Sequence, residues 1–278
     1  MKFQLYLTEG RSKEISEDDF IKLALTTCRD AISAYGEDNN NILLRGVSDL
    51  GKNTDGDVIS SDFADIDPSK HNREANYAMY KYSFIMFENL PSWKSMPKRS
   101  KSVVGATYSG KSGMYGKQYM MFPENGARVA VANGGDLWSS FNGVLTGKKD
   151  DPYENMGAFS SEMDSALLLY KIRGGDSSWS AMLKACIEFD MKYKHSPLNT
   201  QIDGYRYFGR FFREYYKGNL IEALNKAFAP APNNIKIMKP GDKYPPSREW
   251  WTDGYCIMMA HHNKVLEKNT WKKVFSQL

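Results

Sequence analysis

Apolar residues in the first part of the chain recur with two periods, one helical and one typical of strands. Short apolar runs at 2–7 and 41–47 predict strands. Between them a Ser-Glu-Asp-Asp capping box is followed by apolar residues at helical spacing, which predicts one helix over 16–35. A second helix is predicted over 72–89. The polar, Asp-rich stretch 48–69 is too long for a simple turn and predicts a surface excursion or functional loop.

The central stretch 101–138 predicts three short strands, at 102–106, 118–122 and 127–132. A loop rich in glycine and in hydrogen-bond donors separates the first two strands. Its small and polar residues are Gly105, Gly110, Gly113, Gly116, Thr107, Ser109, Lys111 and Ser112. Small residues let backbone N–H groups approach an anion closely, so the loop predicts a site for a phosphate-bearing ligand.

The second half of the chain has a helical part followed by further strands. Helices are predicted over 160–172, 177–192 and 205–228. The Pro-rich connection after them surrounds a short predicted strand at 235–238. The run 249–260 predicts a hairpin that turns at Asp253-Gly254.

Helices separate the β-rich stretch 97–132 from the strands near the end of the sequence. This order predicts an α+β protein in which one sheet takes strands from both ends of the chain. We therefore expect a single domain over 1–278, with a helical insertion at 158–230.

Composition and charge narrow the class of protein. The 278 residues are 41% hydrophobic, which is ample for a globular core, and the net charge of +4 comes from interspersed charges. A nucleic-acid partner is therefore only weakly supported. Without a run of about 20 apolar residues or a signal peptide, the sequence predicts no membrane span and no export. The expected location is the cytoplasm.

Neither the cysteines nor the histidines suggest a metal centre. Cys28, Cys186 and Cys256 are far apart and form no CxxC pattern, so no disulfide framework or thiolate metal site is expected. The histidine positions lack carboxylate or cysteine neighbours at metal-binding spacing; they include His71, His261 and His262. A row of basic residues on the predicted helix 205–228 is typical of a solvated face. It consists of Arg206, Arg210 and Arg213.

Residues 105–112 satisfy the P-loop pattern G-x-x-x-x-G-K-[ST]. A P-loop must open a helix, whereas Gly113 and Gly116 interrupt the next turn and Pro123 blocks its extension. A P-loop NTPase or kinase that uses Lys111 is therefore kept as an alternative.

Three blocks of sequence together carry a resemblance to a known family. Arg45 and Gly46 end an early strand, a Ser/Thr strand at 102–107 leads into the glycine-rich loop, and Glu249 begins a late strand. This order resembles the Arg, Ser/Thr, Glu triplet of ADP-ribosyltransferases. The PKRSKS block at 97–102, followed by Tyr-Gly and Tyr-x-x-Phe-Pro, is similar to the phage-encoded members.

The resemblance implies an ADP-ribosyltransferase-like split β-sheet and a mono-ADP-ribosyltransferase that uses NAD. The enzyme would move ADP-ribose to a macromolecular acceptor, expected to be a host protein in the host cytoplasm if the chain is phage-encoded. The implied catalytic residues are Glu249, Arg45 and Thr107. The implied NAD-binding residues are Arg45, Gly46, Ser102, Thr107, Tyr108 and Tyr115.

The residue types suit this chemistry. An arginine can bind the pyrophosphate of NAD through two hydrogen bonds, and a tyrosine can stack on the nicotinamide ring. Breaking the N-glycosidic bond passes through an oxocarbenium-like state, which a carboxylate beside the sugar stabilises. On this hypothesis Arg45 holds a phosphate or ribose, Thr107 shapes the nicotinamide-binding strand, and Glu249 holds a ribose hydroxyl.

Two departures from the family pattern leave another function open. Ala106 stands where the family has the first serine of a Ser-Thr-Ser run, and Ser247 stands where arginine-modifying members have a second glutamate. A degenerate member acting as a phage structural or interaction protein is therefore an alternative. The purely structural interpretation makes Arg45 a surface residue paired with an aspartate of the following loop. It likewise makes Glu249 the start of a surface strand.

Overall fold

The computed structural model describes residues 12–38, 40–47, 62–70, 81–148, 155–168, 178–193, 202, 204–261 and 264–278. Its strands are β1 (Ser12–Glu14), β2 (Leu43–Val47), β3 (Phe63–Ile66), β4 (Val103–Ala106), β5 (Lys117–Pro123), β6 (Val129–Val131), β7 (Lys236–Met238), β8 (Glu249–Thr252) and β9 (Cys256–Ala260). The predicted strand at 2–7, the first part of the helix predicted over 72–89 and most of the stretch 48–69 lie outside the described residues.

The helices lie before, between and after these strands. They are α1 (Glu17–Leu25), α2 (Arg29–Glu37), α3 (Lys81–Asn89), α4 (Ser109–Ser112), α5 (Asn142–Thr146), α6 (Met156–Ala166), α7 (Trp179–Tyr193), α8 (Tyr207–Tyr215), α9 (Leu220–Ala227) and α10 (Lys264–Phe275). Among the described residues, no helix has both the length and the apolar character needed to cross a bilayer.

The chain divides into two compact units. The first holds the sheet and contains the described residues of 12–70, 96–135 and 236–278. The second is helical and contains those of 81–95 and 136–235. The segment 158–230, predicted as a helical insertion, falls within the second unit.

In the described part of the chain, nine strands form one sheet in the order β1-β3-β9-β5-β2-β4-β8-β6-β7. Every neighbouring pair is antiparallel. The predicted α+β class and a sheet with strands from both ends of the chain are confirmed. The hairpin predicted over 249–260 is wrong, because β8 pairs with β4 and β6 whereas β9 pairs with β3 and β5.

The sheet folds back on itself between β2 and β4. In these described strands the two are joined through the single pair Leu44 and Ala106. Four strand spacings separate β8 from β9, which is about 19 Å in a flat sheet. Yet Thr252 and Cys256, four residues apart in the sequence, can span at most about 14 Å. The sheet therefore consists of a five-stranded half, β1-β3-β9-β5-β2, and a four-stranded half, β4-β8-β6-β7.

The inner faces of the two halves share one apolar core, here called the inner core. The five-stranded half contributes Leu43, Val47, Tyr119, Met121, Cys256 and Met258, and the four-stranded half contributes Val103, Val129, Val131 and Trp250. The other face of the five-stranded half packs on α1, α2 and α10. That second core includes Phe20, Ile32, Leu44, Met120, Phe122, Ile257, Trp271 and Val274. The five-stranded half is thus buried on both faces.

The predicted helix over 16–35 is broken into α1 and α2 because one distant side chain caps both. Asn125, in the turn after β5, donates from its side-chain amide to the carbonyl of Thr26 at 3.0 Å. Its side-chain oxygen accepts from the backbone N–H of Asp30 at 3.0 Å. The backbone N–H of Asn125 also donates to the carbonyl of Thr27 at 2.7 Å. These bonds satisfy the end of α1 and the start of α2.

The helix predicted over 205–228 is also two helices. Helix α8 ends where Tyr216 turns extended, Gly218 then adopts a left-handed φ of +92°, and Asn219 caps α9. The carboxylate of Asp190 accepts from the backbone N–H of Leu220 at 3.0 Å, so α7 fixes the start of α9.

Phenylalanine rings form the centre of the helical unit. The ring centroids of Phe87 and Phe141 are 4.9 Å apart, and those of Phe159 and Phe228 are 5.1 Å apart. Glu162 joins α6 to α8, because its carboxylate accepts from the first backbone N–H groups of α8 at 2.7–3.1 Å. The solvated face predicted for this row of arginines is confirmed for two of its three members. Arg206 and Arg213 are exposed, while Arg210 is half-buried and pairs with Glu214.

We expect Gly105→Ala to destabilise the sheet strongly. A Cβ at position 105 would lie 2.1 Å from the carbonyl oxygen of Leu44 and 2.6 Å from the ring of Trp250. Relieving these clashes requires β4 to move away from β2, which should lower the free energy of unfolding by about 3 kcal/mol. Urea denaturation followed by circular dichroism measures the loss.

Gly110→Ala is the matched control for this substitution. Its Cβ would meet the ring of Tyr108 at 3.4 Å, which is an ordinary contact. The change in unfolding free energy should stay within about 1 kcal/mol. Equal unfolding midpoints for the two variants would show that the β2–β4 junction is not tightly packed.

Candidate active site at Glu249

The three strands that carry the predicted catalytic residues are neighbours in the sheet, in the order β2, β4, β8. Arg45 lies on β2, Thr107 directly follows β4, and Glu249 is the first residue of β8. Ala106, the last residue of β4, lies directly opposite Glu249. The sheet therefore brings together three segments that are far apart in the sequence.

Glu249 is a buried carboxylate in an ion pair. The residue is 6% exposed, so the interpretation of it as the start of a surface strand is wrong. Its carboxylate accepts a hydrogen bond from the guanidinium of Arg99. Its backbone carbonyl accepts from the N–H of Ala132 at 2.9 Å, and its N–H donates to the carbonyl of Gly134 at 3.4 Å. The segment that follows β6 thus fixes the Glu249 backbone through both its N–H and its carbonyl.

Arg99 is held against Glu249 by the segment 97–102, which contains a short 3-10 turn at Arg99–Lys101. The indole N–H of Trp251 donates to the carbonyl of Pro97 at 3.0 Å. The guanidinium carbon of Arg99 lies 5.9 Å from the centroid of the Trp251 ring, within the range of a cation–π interaction. Arg99 therefore contacts two residues of β8, Glu249 and Trp251.

Ser102, predicted to contact NAD, has a structural role in this arrangement. The residue is fully buried, and its hydroxyl donates to the carbonyl of Lys98 at 2.7 Å. This bond closes the turn that presents Arg99. The predicted ligand contact of Ser102 stays a prediction.

Thr107 anchors the segment that leads into Glu249. Its hydroxyl donates to the carbonyl of Pro245 at 2.9 Å and accepts from the N–H of Arg248 at 2.9 Å. Its backbone N–H donates to the carbonyl of Arg248 at 2.8 Å. Between these contacts Ser247 adopts a φ of +57°, which is unfavourable for a residue with a side chain. Thr107 thus stabilises a strained turn directly before Glu249.

The glycine-rich loop after Thr107 folds into α4 and a 3-10 turn at Gly113–Tyr115. Gln118 on β5 supports the loop, since its side-chain amide donates to the hydroxyl of Ser112 at 2.9 Å. The ammonium of Lys111 donates to the carbonyl of Gly135. Tyr108 is half-buried at the start of the loop, whereas the side chain of Tyr115 lies outside the described residues.

Arg45 lies on the other side of the sheet from Glu249. It is 1% exposed, so its interpretation as a surface residue is wrong. Its guanidinium donates to the carbonyl of Val104 at 2.8 Å. Arg45 alternates with Leu44, which faces α1 and α2, whereas Glu249 alternates with Trp250, which faces the inner core. The pleat therefore directs Arg45 towards the inner core and Glu249 away from it.

Arg99 and Trp251 are the residues of this site that the sequence did not identify. The PKRSKS block that contains Arg99 did carry part of the family resemblance. Nothing in that block indicates that its arginine pairs with a carboxylate 150 residues away. The signal available in the sequence for such a site was that charged residues lie near the ends of predicted strands.

Thiol and metal chemistry find no support near Glu249. Burial raises the pKa of the Cys28 and Cys186 thiols to about 12, and it raises the pKa of the Cys256 thiol well above its usual value. The thiols are therefore protonated at neutral pH. Among the described residues, no group of His, Cys, Asp and Glu side chains could hold a metal ion. His71 and His262 lie outside those residues.

We expect Thr107→Val to destabilise the turn before Glu249. The substitution keeps the shape of the side chain but removes the hydroxyl that bonds Pro245 and Arg248. Losing these bonds should lower the unfolding free energy by about 1–3 kcal/mol. Thermal unfolding measures the effect, and Thr107→Ser, which keeps the hydroxyl, should lose less. A Val variant as stable as the wild type would contradict the anchoring role of Thr107.

Comparison with known proteins assigns no family to this site. The sequence matches no protein-family model, and the chain matches neither a curated protein nor a solved structure. The function proposed for Glu249 therefore rests on its own contacts and on the chemistry that they permit.

Proposed function

We propose that the protein is an ADP-ribosyltransferase that moves ADP-ribose from NAD to a macromolecular acceptor. The observation that carries the proposal is the buried Glu249 carboxylate at the start of β8, beside β4 and held by Arg99. A carboxylate that is fixed in place and shielded from water stabilises a developing positive charge far better than a mobile surface carboxylate does.

The fold supports this proposal through its strand order. The resemblance implies a split sheet, with the Arg, Ser/Thr and Glu segments on an early, a middle and a late strand. Here β2, β4 and β8 are neighbours, and the sheet is divided between β2 and β4. A divided sheet is compatible with the split sheet that the resemblance implies.

In the proposed reaction the bond between the ribose C1′ and the nicotinamide nitrogen breaks, and nicotinamide leaves with the bonding electrons. The ribose then carries oxocarbenium character, which Glu249 stabilises electrostatically while it holds a ribose hydroxyl. A nucleophile on the acceptor forms the new bond to C1′ and loses a proton. No redox step is involved, and NAD is consumed as a substrate.

Within the proposal, the loop after β4 is the segment best suited to the nicotinamide end of NAD. Tyr108 stands at its start, half-buried, and offers a ring for stacking. The backbone N–H groups of the glycine-rich turn offer donors to the amide or the phosphates. The guanidinium of Arg45 donates to the carbonyl of Val104 and so supports β4 from the inner core.

A phage structural or interaction protein is the second candidate function, and one observation favours it. Ala106 lies directly opposite Glu249, so the strand offers no hydroxyl at the position where the family has a serine. The P-loop alternative has weaker support. Helix α4 is only one turn long, and the ammonium of Lys111 is bound to the carbonyl of Gly135.

We expect Glu249→Gln to abolish transfer. Wild-type protein incubated with NAD labelled in its adenylate part and a bacterial lysate should place label on a macromolecule. The Gln variant keeps the shape of the side chain but loses its charge, so the rate should fall by about 100-fold or more. Release of nicotinamide in the absence of lysate provides a second measurement.

Glu222→Gln is the control, since Glu222 is exposed on α9 of the helical unit and should not affect transfer. Treatment of the labelled product with protease or nuclease distinguishes a protein acceptor from a nucleic acid. Absence of label, of nicotinamide release and of NAD binding by calorimetry would refute the proposal and favour the interaction protein. Loss of ATP turnover in Lys111→Ala would instead favour the P-loop enzyme.

A further inference from the structure

Both side chains of the Arg99–Glu249 ion pair are largely shielded from solvent. The Arg99 side chain is 17% exposed and that of Glu249 is 9% exposed. Removing two charges from water costs several kcal/mol per ion, which only well-placed partners offset. An ion pair with this little exposure therefore needs a specific reason to be retained.

The segment that carries Arg99 is fixed at both ends before any ligand arrives. Trp251 holds Pro97 through the indole N–H, and Ser102 holds Lys98 through its hydroxyl. The backbone N–H of Lys101 also donates to the carbonyl of Lys98 at 2.9 Å. The backbone on either side of Arg99 is therefore held in place, and from it the guanidinium reaches Glu249.

Arg99 places a cation directly on the Glu249 carboxylate. Strand β4 offers Ala106 opposite the carboxylate, and the hydroxyl of Thr107 is used by the backbone of the 245–248 turn. Arg248 precedes Glu249 in the chain, and the ammonium of Lys111, on the loop after β4, is bound to the carbonyl of Gly135.

We propose that Arg99 is a positioning residue for Glu249, which holds the carboxylate ionised and fixes its direction without touching the reacting atoms. This inference rests on the proposed function. A cation beside a buried carboxylate favours its ionised form, and a protonated Glu249 cannot stabilise an oxocarbenium ion. Trp251 contributes by fixing the guanidinium against its ring.

The first test compares Arg99→Gln with Arg99→Lys in nicotinamide release from NAD. The Gln variant should lose about 100-fold in kcat with a smaller change in KM, because the defect lies in the charge of the reacting site. Its acid limb in the pH profile should move up by about one pH unit or more. The Lys variant keeps the charge and should recover at least about tenfold of that loss.

Lys101→Gln is the matched control, because Lys101 is exposed in the same 3-10 turn. Circular dichroism and thermal unfolding confirm that each variant is folded at the assay temperature. Wild-type kinetics in Arg99→Gln would overturn the inference. Faster release in that variant would also overturn it, since Arg99 would then block the site.

The second test does not depend on activity. With glutamate labelled at the side-chain carboxyl, the Glu249 signal is assigned by its loss in Glu249→Gln and is followed by NMR against pH. In Arg99→Gln this signal should titrate at a higher pH than in the wild type, by about one unit or more. An unchanged titration overturns the inference whether or not NAD is cleaved. A shifted titration in a protein that does not cleave NAD supports the electrostatic role of Arg99 and refutes the proposed function.

Discussion

The close approach of β4 to β2 at Gly105 is the constraint on which the sheet unit depends. Only a residue without a side chain lets β4 come so near the carbonyl of Leu44 and the ring of Trp250. That approach allows the sheet to fold back between its two halves, so that their inner faces share a core. It also sets Ala106 opposite Glu249. The packing constraint and the candidate site are therefore parts of the same junction.

Arg45 and Arg99 both lie near this junction, and each is held by a different kind of contact. Arg45 reaches a backbone carbonyl of β4 from the inner core, while Arg99 reaches the carboxylate of Glu249 on the opposite side. Both arginines are buried or nearly so, and both bind β4 or β8, the strands next to the division. Charge is thus used here to fix strands and side chains, where an apolar contact would lack direction.

The sequence predicted the strands well because alternation is a local property of the chain. Strands β2, β4, β5 and β6 lie where the apolar runs place them. The breaks within the two predicted helices 16–35 and 205–228 were missed. The first of them, between α1 and α2, depends on Asn125, about 95 residues away. The hairpin at 249–260 was wrong because a turn sequence cannot reveal which strands will be the partners. The pairing of Arg99 with Glu249 is equally non-local, so the site was predicted in part only.

The places of β8 and β9 in the sheet have a consequence for the order in which the protein can fold during synthesis. β8 lies between β4 and β6, and β9 lies between β3 and β5, so each half of the sheet has a gap until the last strands are made. The ribosome produces the helical segments of 136–235 before either strand emerges. Because chains fold by domains as they are synthesised, the helical unit can fold first. The strands made earlier keep unpaired edges until β8 and β9 are available. Glu249 therefore takes its place in the candidate site in the same folding step in which β8 pairs with β4 and β6.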